Sequence, residues 1–163
     1  MSVNHFEEKK HLFRKGVSAL IINRNQELLL VNLQSFETKF YVIPGGGIEE
    51  GETQENAVYR KINEELGISR ESLDSSGLCK DPLVLVFKTK KLARDGVEYD
   101  GMERFFFGFQ FKGTDDEIIL QPDEIRAFKW VTFKNLKEYL LFENQLKDTT
   151  KKLLELFSYL KRE

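Results

Sequence analysis

The chain has 163 residues with 25 Lys and Arg against 27 Asp and Glu, and this near-balance (formal net charge −2) excludes a nucleic-acid coat, whose domains are strongly basic. A composition that is 40% apolar, with 14 phenylalanines, excludes a disordered tail and supplies the core of a single domain. The one cysteine, Cys79, excludes an internal disulfide and a cysteine-built metal cluster, and reads as a small buried apolar residue.

Residues 1–14 are charged and are expected to pack loosely. They hold both histidines, His5 and His11, far from every other suggestive motif, which argues against a histidine-built zinc site. The stretch lacks the apolar centre of a signal peptide, and no apolar run is long enough to cross a bilayer. A cytoplasmic protein with no membrane partner is therefore expected. Residues 17–22 and 27–33 read as strands rich in Val, Ile and Leu, and the turn chemistry of Asn23-Arg24-Asn25-Gln26 predicts a hairpin between them. A short strand over 40–43 leads into Pro44-Gly45-Gly46-Gly47, where no regular element is expected to continue. Thr53 predicts the N-cap of a helix that runs to Leu66 and closes at Gly67, with Val58, Ile62 and Leu66 on its buried face.

Residues 83–92 and 104–111 read as long strands, the second strongly aromatic, separated by a polar loop with Asp95-Gly96 and Asp100-Gly101. A strand over 125–131 and helices over 133–141 and 145–160 complete the chain. Leu146, Thr150, Leu153, Phe157 and Leu160 form a stripe on the last helix that reads as a core face. Nothing resembles a repeat or a linker, so residues 1–163 are expected to form one α/β domain.

The chemistry concentrates between Gly46 and Ile68. Positions 61, 64 and 65 share one helical face, so Glu64 and Glu65 can point the same way, their repulsion relieved by a shared divalent cation. An oxygen-rich site of this kind suits Mg2+ or Mn2+. Arg60 is positioned to tie the preceding loop to the helix, with Glu52 as its obvious partner. The glycines let backbone approach a metal or phosphate closely.

This segment resembles the Nudix box, G-x5-E-x7-R-E-U-x-E-E-x-G-U with U aliphatic. The sequence reads Gly46, Glu52, Arg60, Lys61, Ile62, Glu64, Glu65, Gly67 and Ile68, matching eight of the nine defined positions. The order of elements over about residues 15 to 160 also suits such a domain. The resemblance implies a MutT-like α/β/α sandwich with a mixed central sheet. It implies hydrolysis of a nucleoside diphosphate linked to another group, with Mg2+ or Mn2+. Carried over by position, Glu64 and Glu65 are expected metal ligands, joined by the Gly46 backbone carbonyl and by Glu124 from a later loop. Glu52 and Arg60 are expected to hold the loop–helix geometry. The surroundings of Glu124 resemble family members acting on dinucleoside polyphosphates or RNA 5′ ends. A nucleotide-type small molecule ranks ahead of an RNA 5′ end as the expected partner, and a homodimer is compatible with the sequence.

Lys61 departs from the box, which has glutamate there. A protonated lysine neither coordinates a cation nor accepts a hydrogen bond. Three outcomes stay open: another carboxylate (Glu49, Glu50 or Glu124) serves as base, activity is reduced, or the domain binds nucleotides without cleaving them. Among the basic residues, Lys88 and Lys90, clustered with Lys91 and Arg94, and Arg104 on the next strand are candidates for phosphate contact.

Overall fold

A computed structural model describes residues 12–162. His5, His11 and most of the stretch expected to pack loosely lie outside the described residues. Its end does not: Phe13 already opens β1 (Phe13–Ile22), held by Leu12, whose N–H donates to Asp100 Oδ2 at 2.7 Å and whose carbonyl accepts from Asp100 N at 2.8 Å.

β1 lies at the centre of a seven-stranded mixed sheet. It pairs parallel with β6 (Glu98–Phe111) from Phe13↔Gly101 to Ile22↔Gln110, and antiparallel with β2 (Glu27–Leu33) and β3 (Gly45–Gly47). The far edge of β2 carries β7 (Ile125–Thr132), and the far edge of β6 carries β4 (Leu73–Leu78) and β5 (Leu83–Leu92) end to end. The predicted hairpin forms, and Asn23 builds its turn by accepting from the N–H groups of Asn25 and Glu27. Its strands then part after Ile22↔Leu28, because β3 occupies the edge of β1 from Gly16 to Ser18.

Alternation along the strands decides which layer each side chain joins. Val17, Ala19 and Ile21 of β1 pack with Leu29 and Val31 of β2 against helix α1 (Gln54–Leu66), through Ala57, Val58, Ile62 and Leu66. Leu20 and Ile22 pack with Leu28 and Leu30 on the other face, under Leu153 of helix α2 (Gln145–Leu156) and Phe157 and Leu160 beyond it. With both faces covered, β1 and β2 read as continuous apolar runs. Each fully buried Leu or Ile contributes roughly 1.5–3 kcal/mol. The result is the expected α/β/α sandwich. Cys79 is core, 3% exposed, with burial pushing its thiol up to about 12. Among the described residues, no helix is long and apolar enough to cross a membrane.

Several elements differ from the sequence expectation. The strand expected over 40–43 reduces to one bridge, Val31↔Val42, and the glycine run is itself the strand. A Cβ at Gly45 would fall inside contact distance of the Val17 carbonyl, so glycine is what lets β3 lie this close to β1. β4 was not predicted. Its sequence, LDSSGL, has only Leu73 buried, and it exists because β6 offers a free edge. Asp100-Gly101 lies within β6, not in a loop. Residues 133–138 form a 3-10 turn, and α2 stops at Leu156 before a second 3-10 turn.

Candidate active site

α1 carries the site because both of its ends are fixed. Thr53 caps the start, accepting from Asn56 N at 3.1 Å, and Gly67 ends the helix at φ 68°. The last carbonyls of an α-helix lack partners within it. Here the segment after β6 supplies them: Ile119 N donates to Leu66 O at 2.8 Å and Gln121 N to Glu65 O at 3.0 Å. That strap delivers Pro122-Asp123-Glu124 to the foot of α1, and Gln34 N fixes it further by donating to Glu124 O at 2.8 Å.

Glu52 and Arg60 meet in a two-pronged pair, Nε to Oε2 at 2.6 Å and Nη2 to Oε1 at 2.9 Å. Arg60 also donates to the Gly47 carbonyl at 3.0 Å, and Glu49 N donates to Glu52 Oε1, so one guanidinium ties β3, the following loop and α1 together. The Arg60 hydrogen bond is the main cause that holds the Glu52 carboxyl down to about 2, and the Arg60 pKa is raised in return.

Glu65 is 4% exposed and accepts from Gly45 N at 3.1 Å. Burial pushes it up to about 7, against the pull of Lys61 and the Gly45 hydrogen bond and with help from the like charge of Glu124. It lines a cavity of about 360 Å³ together with Gly46, Arg14, Lys61, Arg94 and Glu124. A larger outer cleft of about 780 Å³ continues past Glu49, Glu50 and Glu64 and shares Arg14, Lys61, Arg94 and Glu124 with the inner one.

Lys61 sits inside this arrangement. Its stem covers Gly46, where an added Cβ would collide with the lysine side chain and lie 3.0 Å from Nζ. Its Nζ is 3.5 Å from Glu64 Oε2. Glu64, half exposed, also accepts from Arg60 Nη1 at 3.2 Å, so it already faces two cations.

The expected metal set is therefore only partly assembled. Glu65 and Glu124 line one cavity, and Glu64 turns toward Arg60 and Lys61. Gly46 pairs with Val17 in the β1–β3 ladder, which directs its backbone groups toward β1. Among the described residues, no group of three or more Asp, Glu, His or Cys side chains is placed to hold a metal. Two carboxylates on this cavity still suit Mg2+ or Mn2+, which is commonly held by one or two carboxylates plus substrate phosphates. Glu65 and Glu124 would be those two.

Of the basic candidates, Arg104 is close by: its Nη1 donates to the Val17 carbonyl at 2.8 Å, and it lines a small cavity of about 140 Å³ with Glu65. Burial, then neighbouring Arg14, lowers its pKa, while Glu65 favours its charge. Lys88 and Lys90 stand exposed along β5 and line none of these cavities. Arg94, in the turn after β5, reaches the cleft and lies 4.0 Å from Glu124. Arg14 is there too, against Gly47, in a stretch that the sequence marked as loose. No local pattern marks Arg14; only its register opposite Met102 in β6 places it.

Comparison with known proteins identifies the family. The NUDIX domain family model matches residues 12–156. The chain belongs to the NUDIX domain family. Among curated relatives of this Nudix protein, an RNA pyrophosphohydrolase of Pelagibacter ubique is 26% identical over 137 residues, covering 78% of this chain and 82% of that protein. An RNA pyrophosphohydrolase of Erythrobacter litoralis is 30% identical over 126 residues, covering 73% and 76%. Among solved structures, a C. elegans Ap4A hydrolase in a binary complex has TM-score 0.65 at 17% identity, covering 91% of this chain and 99% of that one. That likeness shows the fold.

Proposed function

We propose that this Nudix enzyme hydrolyses a diphosphate linkage in the 5′-polyphosphate of a nucleoside derivative, using Mg2+ or Mn2+. The observation that carries the reading is Glu65, a buried carboxylate at a cavity whose walls also present Arg14, Lys61 and Arg94. A polyphosphate fits a cavity with those cations, and a carboxylate buried without a full set of partners fits a ligand that brings positive charge. Glu65 and Glu124 would hold a divalent ion there, and its charge would neutralise and polarise the phosphoryl group. The protein's own residues do the positioning: Arg60 and Glu52 fix the loop against α1, and the basic side chains hold the phosphates. With lysine at position 61, proton acceptance from the attacking water falls to a carboxylate of the outer cleft, Glu49 or Glu50, both exposed.

The relatives named RNA pyrophosphohydrolase and the neighbour named Ap4A hydrolase favour two substrate arms with this chemistry, a 5′-triphosphorylated RNA and a dinucleoside tetraphosphate. A second reading, nucleotide binding without cleavage, is favoured by one observation, the Lys61 ammonium over Gly46. Both readings meet in one assay. Pyrophosphate and nucleotide release from both substrates is followed with Mg2+ or Mn2+ for wild type, Glu65→Gln and Lys61→Glu. Turnover by wild type that falls at least about a hundredfold in Glu65→Gln supports the hydrolase. Silence from wild type together with turnover by Lys61→Glu overturns it in favour of binding alone.

A further inference from the structure

The inner cavity has an unusual charge balance for a site that meets both a metal and a polyanion. Its walls present three cations, Arg14, Lys61 and Arg94, against three carboxylates, Glu65, Asp123 and Glu124. With the box glutamate at position 61, the same walls would hold two cations and four carboxylates. Such a surface repels phosphate until metal binds. Exchanging one negative side chain for one positive changes the local charge by two elementary charges, the amount that one Mg2+ carries.

The position of Lys61 makes that exchange effective. Its side chain is 15% exposed, its stem is laid across Gly46, and Nζ stays close to β3. Glu64, 3.5 Å from Nζ, is already engaged by Arg60, and the Lys61 charge also acts on Glu65 across the cavity. Arg14 stands on the other side of the glycine run, where a Cβ at Gly47 would come 2.7 Å from its Nη2. Arg94 is almost fully exposed at the tip of the β5–β6 hairpin, 4.0 Å from Glu124, and lines both the inner cavity and the outer cleft.

We propose that Lys61, with Arg14 and Arg94, forms a resident cationic site that binds the phosphate groups of a nucleoside polyphosphate without any divalent ion, Lys61 standing in for one metal of the site. This rests on the reading of the cleft as the phosphate-binding site, and separates phosphate capture from catalysis. Metal is then needed for the chemical step and not for binding. An ammonium is a compact point charge that suits phosphate oxygens, and its contribution is screened by salt.

The experiment is calorimetric titration of inorganic tripolyphosphate and of ATP into the full chain, in EDTA and in Mg2+, with unfolding midpoints recorded for each variant. Wild type is expected to bind in EDTA within about threefold of its affinity in Mg2+, and Lys61→Gln to lose about tenfold or more in EDTA. Lys61→Glu is expected to bind only in Mg2+. Arg94→Gln changes an exposed side chain, so its unfolding midpoint is expected to match wild type, and it too is expected to weaken the EDTA titration. Wild-type binding that disappears in EDTA overturns the proposal, as does Lys61→Gln or Arg94→Gln binding unchanged there. Metal-dependent turnover without metal-free binding would sink this inference and leave the hydrolase standing. Metal-free binding without turnover would do the reverse.

Discussion

Two carboxylates thirteen positions apart show how surroundings, and not residue type, set the chemistry of this cleft. Glu65 is held above its unfolded value of 4.5, near 7, mainly by burial. The fold therefore favours its protonated form. Its contribution to stability is complete below pH 4.5 and is lost as pH rises through about 7. In EDTA, Glu65→Gln keeps an acceptor for Gly45 N and removes the charge. It should raise stability above pH 7 by up to about 3 kcal/mol, the gain shrinking toward zero near pH 4.5. Thermal melts of both proteins across that range check this, and a pH-independent difference would refute it. Glu52 has the opposite sign. Arg60 holds it near 2, so its contribution is present above 4.5 and fades as pH falls toward 2. At pH 7, Glu52→Gln should cost about 2–3 kcal/mol, because it weakens a two-pronged charged pair and leaves Arg60 half-buried with less compensation. Urea unfolding at pH 7 measures that loss.

At the scale of elements, the legible parts were those whose pattern is local. Helix α1 announces itself by Thr53, by the spacing of Val58, Ile62 and Leu66, and by Gly67. Its face bearing positions 61, 64 and 65 follows from the helical period alone. β4 and β3 could not be read this way, since LDSSGL has no alternation and a glycine run is normally a turn. Both exist through edges that distant strands offer. The same holds for Arg14 and Arg94, which enter the cleft by the β1–β6 register and the β5–β6 hairpin. The end of α1 links the legible half to the other. Gly67 has φ 68°, and a Cβ there would come 3.0 Å from the Cβ of Ile119, the residue that begins the strap to Glu124. Gly67→Ala should therefore cost about 1–3 kcal/mol through backbone conformation alone. The clash with Ile119 should also shift Glu124. A fall in the unfolding midpoint accompanied by weaker Mn2+ binding is the expected pair of results. A fall in stability with Mn2+ affinity intact would show that the strap does not position the site.

For the whole molecule, the sandwich divides the work between its two layers. The α1 layer meets the sheet through Val17, Ala19 and Ile21 and carries the cleft. The α2 layer meets the opposite face through Leu20, Ile22, Leu28 and Leu30. The sequence carries continuous apolar runs at β1 and β2, which fit a sheet covered on both faces. It could not show which helix served which face, since that depends on the parity of each strand residue in the finished sheet. One substitution tests the division. Leu153 is fully buried under the second face, on α2, and touches none of the cavities described above. Leu153→Ala should destabilise the fold by about 2–5 kcal/mol, the transfer cost plus the cavity left behind. Tripolyphosphate affinity, measured well below the lowered midpoint, should stay at the wild-type value, since no phosphate-facing side chain rests on α2. Loss of affinity in a variant still folded would mean that the two faces are coupled through the sheet. β1 would be the route, because Leu20 and Val17 belong to one strand and Val17 O is the acceptor for Arg104.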